Sequence, residues 1–193
     1  MNLVERVKRI LLTPGTEWQV IDAEPATTRG LYTGYIMPLA AIGPIAQFIG
    51  FSLIGMRIPF GGGVYRTPIG SGITGAIVGY VLTLVGVYVL ALIIDGLAPS
   101  FDGTKSQIQA LKVAAYSATA GWLAGIFAIV PTLAILSILG FYSLYLLYLG
   151  LPVLMKAPKQ KALGYTVVVI VAAIVLAVII SMVAGRFMAM PVA

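Results

Sequence analysis

The chain has 193 residues, of which 60% are hydrophobic and only 9% are charged. A soluble domain carries about a quarter charged residues, so this composition indicates a polytopic membrane protein. The absence of cysteine and histidine excludes disulfides and thiol chemistry, and removes the commonest metal ligand and general base. The net charge of +6 indicates basic loops facing anionic lipid rather than a nucleic-acid partner.

Residues 1–30 are predicted to form a cytoplasmic amphipathic arm rather than a cleaved signal sequence. Apolar residues in the first stretch repeat on one helical face, away from the charged ones. A second helix is expected to begin at Thr13 and Pro14, with Thr13 as its cap and Pro14 in its first turn, and to end at Pro25. Trp18 is expected to anchor the arm at the level of the lipid headgroups.

The rest of the chain, residues 31–193, is predicted to be an all-α bundle of five membrane-spanning helices. The spans are expected at about 31–55, 70–94, 111–130, 132–153 and 164–185. The stretch from Val113 to Met155 carries no charge and is too long for one span, so Pro131 predicts the turn of a helical hairpin.

Two further proline and glycine features fall in the first third of the bundle. Pro38 and Pro44 predict a bent or partly unwound first span, which is either a packing kink or part of a transport site. The glycine run 61–63 lacks the Lys-Ser/Thr ending of a phosphate-binding loop, so it predicts a flexible loop.

Small residues on the second and third spans predict close helix packing. Gly75 and Gly79 form a GxxxG pair, and Gly121 and Gly125 repeat at the same spacing. Their partner is either another span of the same chain or a second copy. Trp122 lies near the middle of its span and is expected to pack against another helix.

Charged residues near the ends of the spans are the best polar candidates. Asp95 ends the second span, Asp102 follows in the loop, and Lys105 and Lys112 lie just beyond. An acid inside the bilayer suggests function, because burying it is costly. A salt bridge from Asp95 to Lys105 or Lys112, or a solvated acid, is the alternative to a proton or ion relay.

An aromatic stripe runs along the fourth span. Phe141, Tyr145, Tyr148 and Pro152 fall on one helical face and Tyr142 lies beside them. Tyrosine hydroxyls need acceptors, so the stripe should face protein, water or the headgroup layer. It is either a packed aromatic seam or a groove lined for a lipid or ligand.

The distribution of basic residues predicts the orientation of the bundle. Nine of the twelve Lys and Arg residues fall on the side that holds the arm. The positive-inside rule therefore places the N-terminus in the cytoplasm and the C-terminus in the periplasm.

One pattern extends over most of the chain, at 111–117, 121–127 with Pro131, 140–152, and the pairs 155–156 and 161–162, and further at Pro14, Trp18, Ile21, Glu24 and 97–103. In these segments the chain resembles the Yip-domain family, in the form that bacterial members take. It implies a five-span inner-membrane protein with a cytoplasmic N-terminus. Eukaryotic members engage Rab-type GTPases through a long arm, and the arm of about 30 residues here does not predict that partner.

Two functions follow as hypotheses. The first is a non-catalytic inner-membrane protein that organises lipids or partner proteins and forms a homo-oligomer through its glycine faces. The second is a small transporter, channel or lipid-moving protein that uses a groove between spans 2, 3 and 4. An enzyme is not expected, because no catalytic, cofactor-binding or metal-ligand arrangement is recognisable. The candidate functional residues are Asp95, Asp102, Lys105, Lys112, Tyr116, Trp122, Tyr142, Tyr145, Tyr148 and Lys156.

Overall fold

Two arm helices precede five long helical segments in a computed structural model of the protein, which describes residues 2–57 and 63–188. The arm helices are α1 (Leu3–Leu12) and α2 (Pro14–Ala23). Five segments long and apolar enough to cross a membrane follow, and we number them spans 1 to 5: Thr28–Ile54, Ile69–Phe101, Gln107–Ile129, Pro131–Leu154 and Lys159–Gly185. The predicted all-α, five-span fold is confirmed.

Span 1 is broken into short pieces. It consists of α3 (Thr28–Leu31), a π-helical turn (Tyr32–Ile36), α4 (Met37–Ala40), α5 (Ile42–Phe48) and a second π-helical turn (Ile49–Ile54). Pro38 lies at the start of α4 and Pro44 lies inside α5. Each proline removes a backbone donor, so the regular hydrogen-bond pattern cannot run through them. The irregular first span expected from these prolines is observed.

A short hairpin and a continuous helix come next. Strand β1 (Met56–Arg57) pairs antiparallel with β2 (Val64–Tyr65). The predicted flexible glycine loop at 61–63 falls between these strands, and its first two residues lie outside the described residues. Span 2 is α6 (Ile69–Leu97), which continues into a 3₁₀ turn (Ala98–Phe101).

Spans 3 and 4 form the helical hairpin expected from the uncharged stretch. Span 3 contains α7 (Gln107–Ser117), α8 (Thr119–Ala124) and a 3₁₀ segment (Gly125–Ile129). Val130 is extended, and the chain folds back there into a 3₁₀ segment (Pro131–Phe141) followed by α9 (Tyr142–Leu154). Span 5 lies within α10 (Lys159–Met188).

The arm packs into the same core as the spans. Ile10 of α1 and Trp18 and Ile21 of α2 are buried together with Ala114 of span 3 and Leu146 of span 4. The arm also contacts the first turn of span 3 and the loop after span 4, so these two segments lie at one end of the bundle. We call this end the arm end and the opposite end, which carries the β-hairpin, the far end.

Candidate functional site

Trp18 fixes the arm to span 4. Its side chain is fully buried and lies against Gly150, where an added Cβ would come within 2.7 Å of the indole Cζ2. The ring also meets Tyr116 of span 3 edge to face, with centroids 6.3 Å apart. The expectation of a headgroup anchor was wrong, because the glycine opens a site in the protein that receives the whole indole.

A buried charge cluster lies beside this tryptophan. Arg6 of α1 is 5% exposed and forms ion pairs with Glu17 and Glu24 of the α2 region, of which Glu17 is 2% exposed. The Arg6 guanidinium also lies 5.6 Å from the centre of the Tyr116 ring. Burial works against the charge of Arg6, but the Glu24 hydrogen bond and the charges of Tyr116, Glu24 and Glu17 outweigh it and raise its pKa.

Lys112 holds the end of α2. Its Nζ donates to the carbonyl oxygens of Ile21 at 2.8 Å and Glu24 at 2.6 Å. The last carbonyls of a helix lack partners within the helix and carry partial negative charge, so an ammonium group is well suited to them. Gln109 adds hydrogen bonds from its Nε2 to the carbonyl oxygen and Oδ1 of Asp22, at 3.2 and 3.0 Å.

The arm-end loops are tied to one another and to the arm. Lys156, which has a positive φ of 55°, forms an ion pair with Asp22. Asp102, with the same φ, pairs with Lys161 at 2.6 Å. The backbone N–H of Thr104 donates to the carbonyl oxygen of Met155 at 2.7 Å. The candidates Asp102 and Lys156 therefore lie in contacts that close the arm end.

Asp95 does not form the salt bridge expected for it. Lys112 is directed to the α2 carbonyls instead, Lys105 is exposed, and Asp95 Oδ1 is buried with no hydrogen-bond partner among the described residues. Beside it, the Tyr165 hydroxyl donates to the carbonyl oxygen of Ile94. The prediction failed because the docked arm offers Lys112 carbonyl partners that the sequence did not reveal.

The aromatic stripe of span 4 faces outward. Tyr145 is 49% exposed and Tyr148 is 40% exposed. Tyr142 packs on Tyr145 with centroids 5.4 Å apart and donates to the carbonyl oxygen of Leu11 at 3.0 Å, which ties span 4 to the end of α1. The stripe is therefore not a buried seam between spans, because Tyr145 and Tyr148 lie on the outward side of span 4, while Tyr142 beside them contacts the arm.

The small residues of spans 2 and 3 border a cavity of about 610 Å³. Gly75, Gly79, Gly121, Gly125 and Trp122 all line it. The cavity lies between spans 1, 2, 3 and 5 rather than between spans 2, 3 and 4 as expected, and neither Asp95 nor the tyrosine stripe contributes to its lining.

The individual glycines behave differently. An added Cβ on Gly125 would lie 3.0 Å from the Cα of Gly43, so these two backbones approach closely within one chain. A Cβ on Gly121 would meet Ser143 Oγ at 3.4 Å, an ordinary contact, and one on Gly79 would meet nothing within 4 Å.

Sequence reasoning missed the arm cluster. Arg6, Glu17, Glu24 and Gly150 were not among the candidates, yet they connect the arm to the bundle. The available signal was weak. Arg6 and Glu17 are ordinary members of helix surfaces by pattern, and only their tertiary contacts distinguish them from the exposed Lys8 and Arg9.

These features define a polytopic membrane protein with a docked N-terminal arm. Residues 8–181 match the Yip1 domain family. Inner membrane protein YohC of Escherichia coli strain K12 is 32% identical over 158 residues, which cover 79% of this chain and 80% of that protein. The protein of the same name from Escherichia coli O6:H1 matches to the same extent. The chain therefore belongs to the Yip1-domain family. No solved structure matches it significantly.

Proposed function

We propose that the protein is a non-catalytic inner-membrane organiser that acts on lipid headgroups through its arm end. The observation that carries this proposal is that the polar side chains at the arm end bind groups of the same chain. Arg6, Glu17, Lys112 and Asp22 are committed to contacts within the chain, which leaves a rigid platform rather than a set of reacting groups.

The exposed charges of this platform are predominantly basic. Lys8, Lys105 and Lys159 are exposed around the arm end. With the N-terminus in the cytoplasm, they face the anionic surface of the inner leaflet, where each cation near the headgroups contributes about 1 kcal/mol of attraction. The inner-membrane location of the Escherichia coli relative supports the choice of membrane, and the positive-inside rule supports the orientation.

The test is the lipid composition that accompanies the purified protein. Nanodiscs made from a mixture of phosphatidylethanolamine and phosphatidylglycerol should show phosphatidylglycerol enriched around the protein in native mass spectrometry. The double variant Lys105→Gln with Lys159→Gln should reduce this enrichment, whereas Arg66→Gln, an exposed cation at the far end, should not. Equal enrichment in all three proteins would contradict the proposal.

A second candidate function is lipid movement or solute transport. The cavity of about 610 Å³ within the membrane-spanning region favours it. Flux across proteoliposomes should then depend on residues that line this cavity, such as Thr83, and should be unchanged by Asp95→Asn and Tyr145→Phe. A flux equal to that of empty liposomes would eliminate this candidate.

A further inference from the structure

The cavity between spans 1, 2, 3 and 5 has the form of a lipid site. We propose that it holds one acyl chain of a membrane phospholipid, with the ester and headgroup region of that lipid at the far end. This site is separate from the arm-end surface proposed above. It lies in the opposite half of the bundle, because its lining includes Ser52 at the end of span 1 and Ser71 at the start of span 2.

The length of the cavity matches one leaflet. Its lining on α6 repeats in steps of four residues from Ser71 through Gly75 and Gly79 to Thr83. At a rise of about 1.5 Å per residue this row is about 18 Å long. Half of a typical hydrocarbon core is about 15 Å thick. A chain lying over the glycines would therefore extend from the far boundary to about the middle of the bilayer.

The width of the cavity is sufficient for an acyl chain. A cavity of about 610 Å³ spread along about 18 Å has a mean cross-section of about 34 Å². A single hydrocarbon chain fits a section of this size along the whole row of small residues.

The polar groups of the cavity point to an ester or headgroup at the far end. Ser52 is 6% exposed, and its Oγ has no hydrogen-bond partner among the described residues. It lies beside Gly72, another residue of the lining. At the deep end, Thr83 Oγ1 is already satisfied because it donates to the Gly79 carbonyl at 2.8 Å. A buried hydroxyl without a partner is costly, and a lipid ester carbonyl would accept its hydrogen bond.

The charge of the lining agrees with this ligand. The lining residues contain hydroxyl, amide and indole groups, including Gln47, Thr67 and Trp122, and no charged side chain. An uncharged site in the membrane suits the ester region of a phospholipid and its apolar chain rather than an ion. Its volume lies within the usual range of about 300–1,000 Å³ for ligand pockets.

The two tryptophans of the chain allow a direct test. Trp122 lines the cavity, and Trp18 is fully buried at the arm end. In nanodiscs of phosphatidylcholine brominated midway along its acyl chains, Trp122 fluorescence should be quenched relative to unbrominated nanodiscs. A Trp122→Phe variant identifies the part of the signal that belongs to this residue.

The decisive variant fills the cavity. A Cβ added to Gly79 meets nothing within 4 Å, and Gly79 lines the cavity. Gly79→Leu should therefore occupy the groove and reduce the quenching of Trp122 at least about twofold, because the acyl chain can no longer enter the pocket. Gly96→Leu is the matched control. Gly96 lies on the same helix, about 25 Å away, also meets nothing within 4 Å, and does not line the cavity. Ala76→Leu, at a second lining position, replaces Gly79→Leu if that variant does not fold.

Native mass spectrometry provides the second measurement. The wild-type chain and Gly96→Leu should retain one phospholipid through detergent exchange, and Gly79→Leu should lose it. Quenching and retention that are equal in Gly79→Leu and the wild type would overturn the proposal. A change of oligomeric state in Gly79→Leu, without a change in quenching, would also overturn it and assign the groove to a second copy.

Discussion

The contact between Trp18 and Gly150 makes a sharp prediction about Gly150→Ala. The added methyl would lie 2.7 to 2.9 Å from three atoms of a fully buried indole. A rigid ring without space cannot move by a simple rotation, so the substitution overpacks the core and should cost about 1–3 kcal/mol of unfolding free energy. Releasing Trp18 altogether would cost about 3–5 kcal/mol. Because overpacking costs less than releasing Trp18, the arm should stay docked in the variant, with a strained contact at position 150.

The sign of this effect should reverse when the indole is removed. Gly150 lies inside α9, where alanine is intrinsically better than glycine by about 0.5–1 kcal/mol. In a Trp18→Ala background the clash is absent, so Gly150→Ala should become neutral or stabilising. The measurement is a double-mutant cycle on unfolding free energies, from SDS titrations in mixed micelles followed by circular dichroism.

Gly164→Ala is the matched control for this cycle. Its added Cβ would meet Phe101 Cε1 at 3.5 Å, which is an ordinary contact, so it should not destabilise the protein. The reasoning is refuted if Gly150→Ala is as harmless as Gly164→Ala. It is also refuted if the cost of Gly150→Ala persists in the Trp18→Ala background.

Two further predictions concern the charges of the arm. Arg6→Met leaves Glu17, which is 2% exposed, buried without its cation, so it should destabilise the docked arm by about 3–5 kcal/mol and accelerate limited proteolysis of α1. Arg6→Met combined with Glu17→Leu should recover part of this loss, because no unpaired charge is then buried. If the double variant recovers nothing, the charge-based role is contradicted. Lys112→Met should cost about 1.5–3 kcal/mol in unfolding free energy, because it removes charged hydrogen bonds to two carbonyls. Lys161→Met, which breaks an exposed pair with Asp102, is the control and should cost at most about 1 kcal/mol. Equal losses of unfolding free energy in the two variants would contradict a stabilising role for the Lys112 hydrogen bonds.

The sequence was sufficient for the elements that depend on composition and local chemistry. The uncharged stretch around Pro131 predicted the helical hairpin, and Pro38 and Pro44 predicted the irregular first span, because hydrocarbon thickness and the missing proline donor are local constraints. The same reasoning placed Pro14 in the first turn of α2, where it is found.

The contacts of the arm could not be derived in this way. An amphipathic helix records that one face is apolar, but it does not record whether lipid or protein covers that face. Trp18 was therefore assigned to the headgroups, although Gly150, far away in the chain, receives it. Asp95 was offered Lys105 or Lys112 as a partner because both lie nearby in the sequence, but in the fold Lys112 binds the carbonyls of α2.

The docking of the arm also imposes an order on assembly. The arm is synthesised before the spans, and its partners follow much later in the chain. Lys112 contacts a residue 91 positions before it, and Lys156 contacts one 134 positions before it. The site that Gly150 of span 4 provides for Trp18 is therefore incomplete until span 4 has entered the membrane. The arm can therefore dock only in a chain whose first four spans have already been inserted.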